Sequence, residues 1–187
     1  EHVPLVVLSN NDGCAVARSS EVKALGVKMA TPWFLLKDLA AQHGIQALSS
    51  NYTLYGDMSE RVVSILQDFS PDMEVYSIDE SFLRIDAVTH LYPSSIAMGE
   101  IMRSRIRQWT GLPVCVGMGA SKTLAKLANH LAKKHPAFNG VCDLNALTSP
   151  ELEHWLTITE VGEVWGVGCQ LTLRLQAMGI ETVWDLR

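Results

Sequence analysis

The chain has 187 residues, 48% of them apolar and 19% charged, with a net charge of −5. These values describe a globular chain long enough for one large domain or two to three small ones. No apolar run approaches the roughly 20 residues of a membrane helix, no signal peptide opens the chain, and the acidic balance excludes a surface that binds nucleic acid throughout, though not a local basic stripe.

Cys14, Cys115, Cys142 and Cys169 are scattered without a C-x-x-C pair, and the six histidines form no H-x-x-x-H pattern. This pattern predicts neither a disulfide framework nor a zinc site, and points to a reducing, cytoplasmic setting. Glu1-His2-Val3-Pro4 lacks an initiator Met and leads straight into Leu5-Val6-Val7-Leu8, and the chain stops inside a helical pattern at Trp184-Asp185-Leu186-Arg187. Both ends predict an internal segment of a longer protein.

Val3–Ser9 reads as a buried strand and Asn10-Asn11-Asp12-Gly13-Cys14 as a turn. Ser19–Leu25 predicts a short helix closed by Gly26. Thr31-Pro32 predicts another, with Thr31 as cap and Pro32 at its first position, running to about Gln42 and ended by Gly44. Ile45–Ser49 is a further short strand, so residues 1–50 read as a small α/β unit. Over Asp57–Phe69, Met58, Val62, Ile65, Leu66 and Phe69 form one apolar helical face.

Two β-prone runs follow, Val75–Ile78 and Phe82–Ile85, joined through Asp79-Glu80-Ser81. Two adjacent carboxylates therefore sit at a hairpin tip. Carboxylate oxygens are hard ligands suited to Mg²⁺ that also holds substrate phosphates. Neighbouring strand residues point to opposite sides, so both reach one metal cluster only where the tip bends. The same residues also fit a solvated acidic turn.

Ser94–Trp109 predicts a helix, Leu112–Met118 a buried strand, Ser121–Lys134 a helix and Val141–Leu144 a short strand. From residue 57 the order is helix, strand, strand, helix, strand, helix, strand. An antiparallel sheet with helices on one face satisfies it, and one further strand from upstream would make it ferredoxin-like. In the helix 121–134, Lys122, Lys126 and Lys133 share one face, opposite Leu124, Leu127 and Leu131. This basic stripe fits phosphate contact or an ordinary solvated face. Gly117-Met118-Gly119 before it could admit a phosphate chain to the helix N-terminus.

Residues 148–187 read as a separate helical segment. Ser149 caps a helix with Pro150 at its first position, and Val164-Trp165-Gly166-Val167-Gly168 precedes a helix Cys169–Met178 closed by Gly179. Glycines between two helices expose backbone N–H groups that can take a DNA phosphate, and they also suit a tight turn. Arg18 and Lys23 fit triphosphate contact or plain surface charge.

Taken together, Ser77-Ile78-Asp79-Glu80, the helix before it and Lys122-Thr123-Leu124-Ala125-Lys126-Leu127-Ala128-Asn129 after it resemble the Y-family translesion DNA polymerases. Val7–Cys14, Ala24–Met29, Ser50–Tyr52 and Leu124–His130 look like the UmuC-type branch of that family, the catalytic subunits of bacterial polymerases of the DNA polymerase V kind. The resemblance covers essentially the whole chain.

The resemblance implies an α+β fold: small α/β fingers at 1–50, a palm at 51–147, and the start of a helix-hairpin-helix thumb at 148–187. It implies template-directed, error-prone nucleotidyl transfer in the SOS response. Asp79 and Glu80 would hold two Mg²⁺ ions. Ser20, Lys23 and Lys133 would contact the dNTP triphosphate, with Ser20 where the family often has tyrosine and Lys23 where it has arginine. Cys14, Val16, Met29 and Ala30 would line the nascent base pair. Gly166, Gly168, Lys122 and Lys126 would grip DNA. Implied partners are primer-template DNA, a UmuD′-type accessory dimer, RecA and the sliding clamp.

The family's first metal-binding aspartate and its ribonucleotide-excluding aromatic should precede Glu1, and Asp57 and Asp86 match neither position. The expectation is therefore weak metal binding and no polymerisation by this chain alone. Two other readings compete. One is a palm-fold nucleotide cyclase, which lacks its Gly-Gly-(Asp/Glu)-Glu-Phe signature here. The other is a noncatalytic DNA-binding module built on residues 149–187.

Overall fold

The computed structural model describes residues 3–187. The chain divides into two compact units, one ending at Asp57 and one running from Met58 to Arg187.

The first unit is built on a three-stranded sheet in the order β2-β1-β3, from β1 (Leu5–Leu8), β2 (Ala15–Arg18) and β3 (Gln46–Ser49). β1 pairs antiparallel with β2 and parallel with β3. The turn before β2 closes through Ser9 N–H to Cys14 O at 2.8 Å, and it is Asp12, not Gly13, that takes the left-handed conformation (φ 54°). Helix α1 (Ser20–Ala24) is capped by the Ser19 hydroxyl, which accepts from Val22 N–H. Helix α2 (Trp33–His43) ends at Gly44 in the left-handed conformation. Val6, Leu8, Ala15, Val22, Val27, Leu36, Ala40 and Ile45 form this unit's core.

The cap of α2 differs from expectation. Its N-cap is Pro32, one residue later than predicted. Thr31 is already committed to a turn: its hydroxyl donates to Lys28 O at 2.7 Å and its N–H bonds the same carbonyl. Helix α3 (Tyr52–Gln67) begins earlier than the apolar stripe suggested. The Asn51 side chain accepts from Leu54 N–H at 3.0 Å, the bond of an N-cap.

The second unit holds β4 (Met73–Val75) and β5 (Ser81–Leu83), an antiparallel pair in which Glu74 faces Phe82. Helix α4 (Ser95–Thr110) is capped by Ser94. β6 (Val116–Met118) and β7 (Val141–Asp143) flank helix α5 (Lys122–Lys134), which Ser121 caps. β6 and β7 are parallel. Helices α6 (Ser149–Thr157), α7 (Cys169–Ala177) and α8 (Val183–Leu186) complete the chain.

The single antiparallel sheet expected for this region is not formed. The antiparallel sheet is the two-stranded β4–β5 alone, and β6–β7 is a separate two-stranded sheet. A strand–helix–strand crossover returns the chain in the same direction, so β7 after α5 must run parallel to β6. The cap of α6 is Thr148 rather than Ser149. The Glu151 carboxylate accepts from Thr148 N–H at 2.8 Å and from its hydroxyl at 2.6 Å, a capping box that holds Glu151 below the usual carboxylate pKa.

Two apolar clusters hold this unit. Ile65, Leu66 and Phe69 of α3 and its end pack on Met98, Met102 and Ile106 of α4, with Met73 and Leu83 of the hairpin against them. Leu127, Ala128, Leu131 and Ala132 of α5 pack with Cys142, Leu144, Leu156 and Val183. Leu124, expected on the apolar face, is 38% exposed. Burial pushes the Cys142 thiol up to about 12.

Candidate active site

Alternation along a strand sorts the hairpin into two faces. Met73 and Leu83, which are paired, point to the α3–α4 core. Glu74 and Phe82, the next pair, point the other way, toward α5. The first strand ends at Val75, three residues before the predicted boundary at Ile78, so residues 76–80 form a longer turn. Tyr76 and Ser77 both donate backbone N–H to Glu80 O at 3.0 Å, which produces the bend that two adjacent carboxylates need. Asp79 is exposed at the tip, and its Oδ1 accepts from the Ser77 hydroxyl at 2.7 Å.

The basic stripe of α5 lies against this hairpin. Lys126 Nζ pairs with Glu80 Oε1, and Lys122 Nζ with Glu74 Oε2. The spacing explains it: lysines four apart share a helix face, and the two acids share a hairpin face. Lys122 Nζ also sits 5.3 Å from the Phe82 ring centre, and Lys126 Nζ 5.8 Å from that of Trp165. Trp165 reaches the hairpin directly, with ring centres 5.3 Å from Tyr76 and 6.0 Å from Phe82. Lys133, on the same helix, is exposed.

The sequence reading missed Glu74, Tyr76, Phe82 and Trp165. The first three were recoverable from the alternation Met73-Glu74-Val75-Tyr76 against Ser81-Phe82-Leu83, which separates an apolar from a mixed face. Trp165 had no such signal, because only the tertiary fold brings it to residues so distant in sequence.

Gly117 and Gly119 do not open a phosphate path, contrary to the expectation. A Cβ on Gly117 would lie 2.6 Å from Asn129 Cα, and one on Gly119 2.7 Å from Leu124 Cβ. These glycines let α5 pack directly on β6. Gly166 and Gly168 differ: a Cβ on either would meet nothing within 4 Å, and Gly166 has φ +94°. Both are exposed, in the turn ahead of α7.

At the far end of α5, His130 Nδ1 lies 3.3 Å from a Glu163 carboxylate oxygen. Burial lowers the His130 pKa below 6.5 and outweighs the attraction of Glu163, with Lys134, His135 and Lys133 adding to the lowering. A base whose folded pKa is lowered contributes stability above its unfolded pKa and loses it as pH falls. Urea unfolding from about pH 7.5 to about pH 5.5 is expected to show a stability loss that His130→Gln reduces.

In the first unit, Cys14, Val16, Met29 and Ala30 come together along β2. Cys14 bridges to Pro32, and Ala30 N–H donates to Ala15 O at 2.9 Å. Val16, Met29 and Ala30 are exposed, and Ala30 holds φ 63°. Ser20 and Lys23 lie exposed on α1, where the Ser20 hydroxyl donates to Glu21 at 3.3 Å.

The donor set can be tested for a metal. Asp79 and Glu80 each engage one carboxylate oxygen in the contacts above and leave the second outside them. Mg²⁺ is held by one or two carboxylates together with waters and substrate phosphates, so the pair fits. Among the described residues no group of three or more His, Cys, Asp or Glu could hold a metal ion.

A sequence profile described as the impB/mucB/samB family matches residues 1–130. The chain belongs to this family. It is 44% identical over 183 residues to protein ImpB of Salmonella typhimurium, covering 98% of this chain and 43% of ImpB. It is 42% identical over 184 residues to protein UmuC of Salmonella typhimurium (strain LT2), covering 98% of this chain and 43% of UmuC. Against DNA polymerase IV of Corynebacterium diphtheriae it is 32% identical over 183 residues, with 97% and 39% covered.

The fold matches solved polymerases. DinB from Sulfolobus solfataricus is 26% identical, with a TM-score of 0.79 over 99% of this chain and 52% of DinB. The insertion ternary complex of Dbh DNA polymerase is 25% identical, with a TM-score of 0.78 over 96% and 51%. This member of the impB/mucB/samB family therefore has the α+β fold of a Y-family polymerase segment. It spans less than half the length of these curated relatives. Among the described residues no helix is long and apolar enough to cross a membrane.

Proposed function

We propose that this chain is part of an error-prone, lesion-bypassing DNA polymerase of the UmuC type, with Asp79 and Glu80 as metal-holding carboxylates. The observation that carries the reading is the bent acidic hairpin in a chain of the impB/mucB/samB family. When bound, Mg²⁺ would lower the barrier to attack by the primer 3′-hydroxyl and stabilise the leaving pyrophosphate. The protein's own contribution is to bend residues 76–80 so that both carboxylates are presented, and to fix one oxygen of each.

Gly166 and Gly168 fit a DNA phosphate, both being exposed in the turn ahead of α7. Lys133 is free of the acid pairs that hold Lys122 and Lys126, and it is the α5 lysine we assign to a triphosphate. Ser20 and Lys23 for the triphosphate, and Cys14, Val16, Met29 and Ala30 for the nascent base pair, are assigned from the family resemblance. So are the divisions at 50/51 and 147/148, a cytoplasmic location, and the partners: a UmuD′-type dimer, RecA and the sliding clamp.

Primer extension with Mg²⁺ and dNTPs tests this reading. The 187-residue chain is expected to give no robust extension, because the family resemblance implies a further metal-binding aspartate before Glu1. A protein containing it at the full length of its relatives is expected to extend a primer across an abasic template. Failure of that longer protein on any template, damaged or not, would contradict the proposal.

A further inference from the structure

Lys122 and Lys126 were expected to face phosphates, yet both are bound to acids. The two pairs are unequal. Side chains of the Lys122–Glu74 pair are 49% and 52% exposed, against 24% and 32% for Lys126–Glu80. Lys126 has the Trp165 ring on another side, and that ring is fixed by Tyr76 and Phe82. Partial burial beside an aromatic surface strengthens an ion pair by lowering the local dielectric.

We propose that Lys126 is the built-in counter-ion of Glu80 and that a divalent cation at the hairpin competes with it. The inference rests on the proposed metal role of Asp79 and Glu80. Without a cation, two neighbouring carboxylates at one bend repel each other. Lys126 relieves that repulsion and keeps Glu80 beside α5. When a divalent cation arrives at the same carboxylate, its charge and that of the lysine oppose each other across a few ångströms. Lys126 thus stabilises the metal-free hairpin and weakens its hold on metal, and Trp165 keeps the ammonium in place. The same arrangement releases the Lys126 ammonium from Glu80 when metal binds.

Free-Mn²⁺ electron paramagnetic resonance measures this without any turnover. Lys126→Met is expected to bind Mn²⁺ about five- to twenty-fold more tightly than the unaltered chain, the size of a nearby unit charge in a mostly aqueous dielectric. Lys126→Gln, which keeps a hydrogen-bond donor and loses the charge, is expected to show the same gain, and covers the case in which Lys126→Met does not fold. Lys126→Arg is expected to stay within about two-fold. Metal-free Lys126→Met melts lower than the unaltered chain, and Mn²⁺ raises its Tm by more.

Unchanged or weaker Mn²⁺ binding by Lys126→Met and Lys126→Gln overturns the counter-ion role. If in that case Asp79→Asn still weakens binding to the unaltered chain, the metal-site reading survives. If Asp79→Asn changes nothing, both readings fall together.

Discussion

Replacing Gly117 with valine is expected to leave the unit beginning at Met58 without a cooperative fold. A Cβ at this position would lie 2.6 Å from Asn129 Cα and closer still to Asn129 N and Ala125 O. Those are backbone atoms of a thirteen-residue helix, and they cannot swing aside as a flexible side chain does. Either β6 leaves β7 or α5 lifts off the sheet, uncovering Leu127, Ala128 and Leu131. A cost on the order of 4 kcal/mol or more is expected, a large part of the roughly 5–15 kcal/mol that holds a typical domain. Gly168→Ala is the contrast, because its φ is −82° and the space around it is open. It is expected to change stability by less than about 1 kcal/mol. Urea unfolding followed by circular dichroism separates the two; a native-like transition for Gly117→Val would contradict the close α5–β6 approach.

Asp79→Asn is expected to reduce metal-dependent nucleotide binding by about 100-fold or more, since loss of even a supporting group around a metal costs roughly 10- to 100-fold. Its effect on folding should be small, within about 1 kcal/mol, because the side chain is exposed at the turn. Asparagine retains an oxygen that can accept the Ser77 hydroxyl bond, so the turn itself should persist. The contrast between a large binding loss and an unchanged unfolding curve distinguishes a ligand from a structural residue. A parallel fall in both would mean that Asp79 acts by holding the turn.

Local chemistry made much of this fold readable. Helices were expected to begin at Ser19, Ser94 and Ser121; each of these serines is instead the N-cap, one residue before its helix, and Gly44 ends α2 as expected. Errors arose where a residue had two possible partners. Thr31 serves the Lys28 turn and leaves the cap to Pro32; Thr148 with Glu151 outcompetes Ser149. β2 gave no sequence signal, since Ala15-Val16-Ala17-Arg18 is short and only Ala15 is buried.

The acidic pair of the candidate site was legible from Asp79-Glu80 and the β-prone runs beside it. Its surroundings were not. The Lys126–Glu80 pair spans 46 residues and the ring contacts of Trp165 with Tyr76 and Phe82 span more, so they depend on how α5 and the turn before α7 settle on the hairpin. The lysine stripe read from spacing was real, but spacing does not say whether phosphates or carboxylates face it.

The most direct test of the account is calorimetric titration of Mg²⁺ with a dNTP into this chain and into its Asp79→Asn variant, each with primer-template DNA present. Weak but measurable metal-dependent binding to the unaltered chain is expected, and Asp79→Asn is expected to abolish it. Equal heats from the two proteins, or none from either, would contradict it and leave the hairpin a solvated acidic turn.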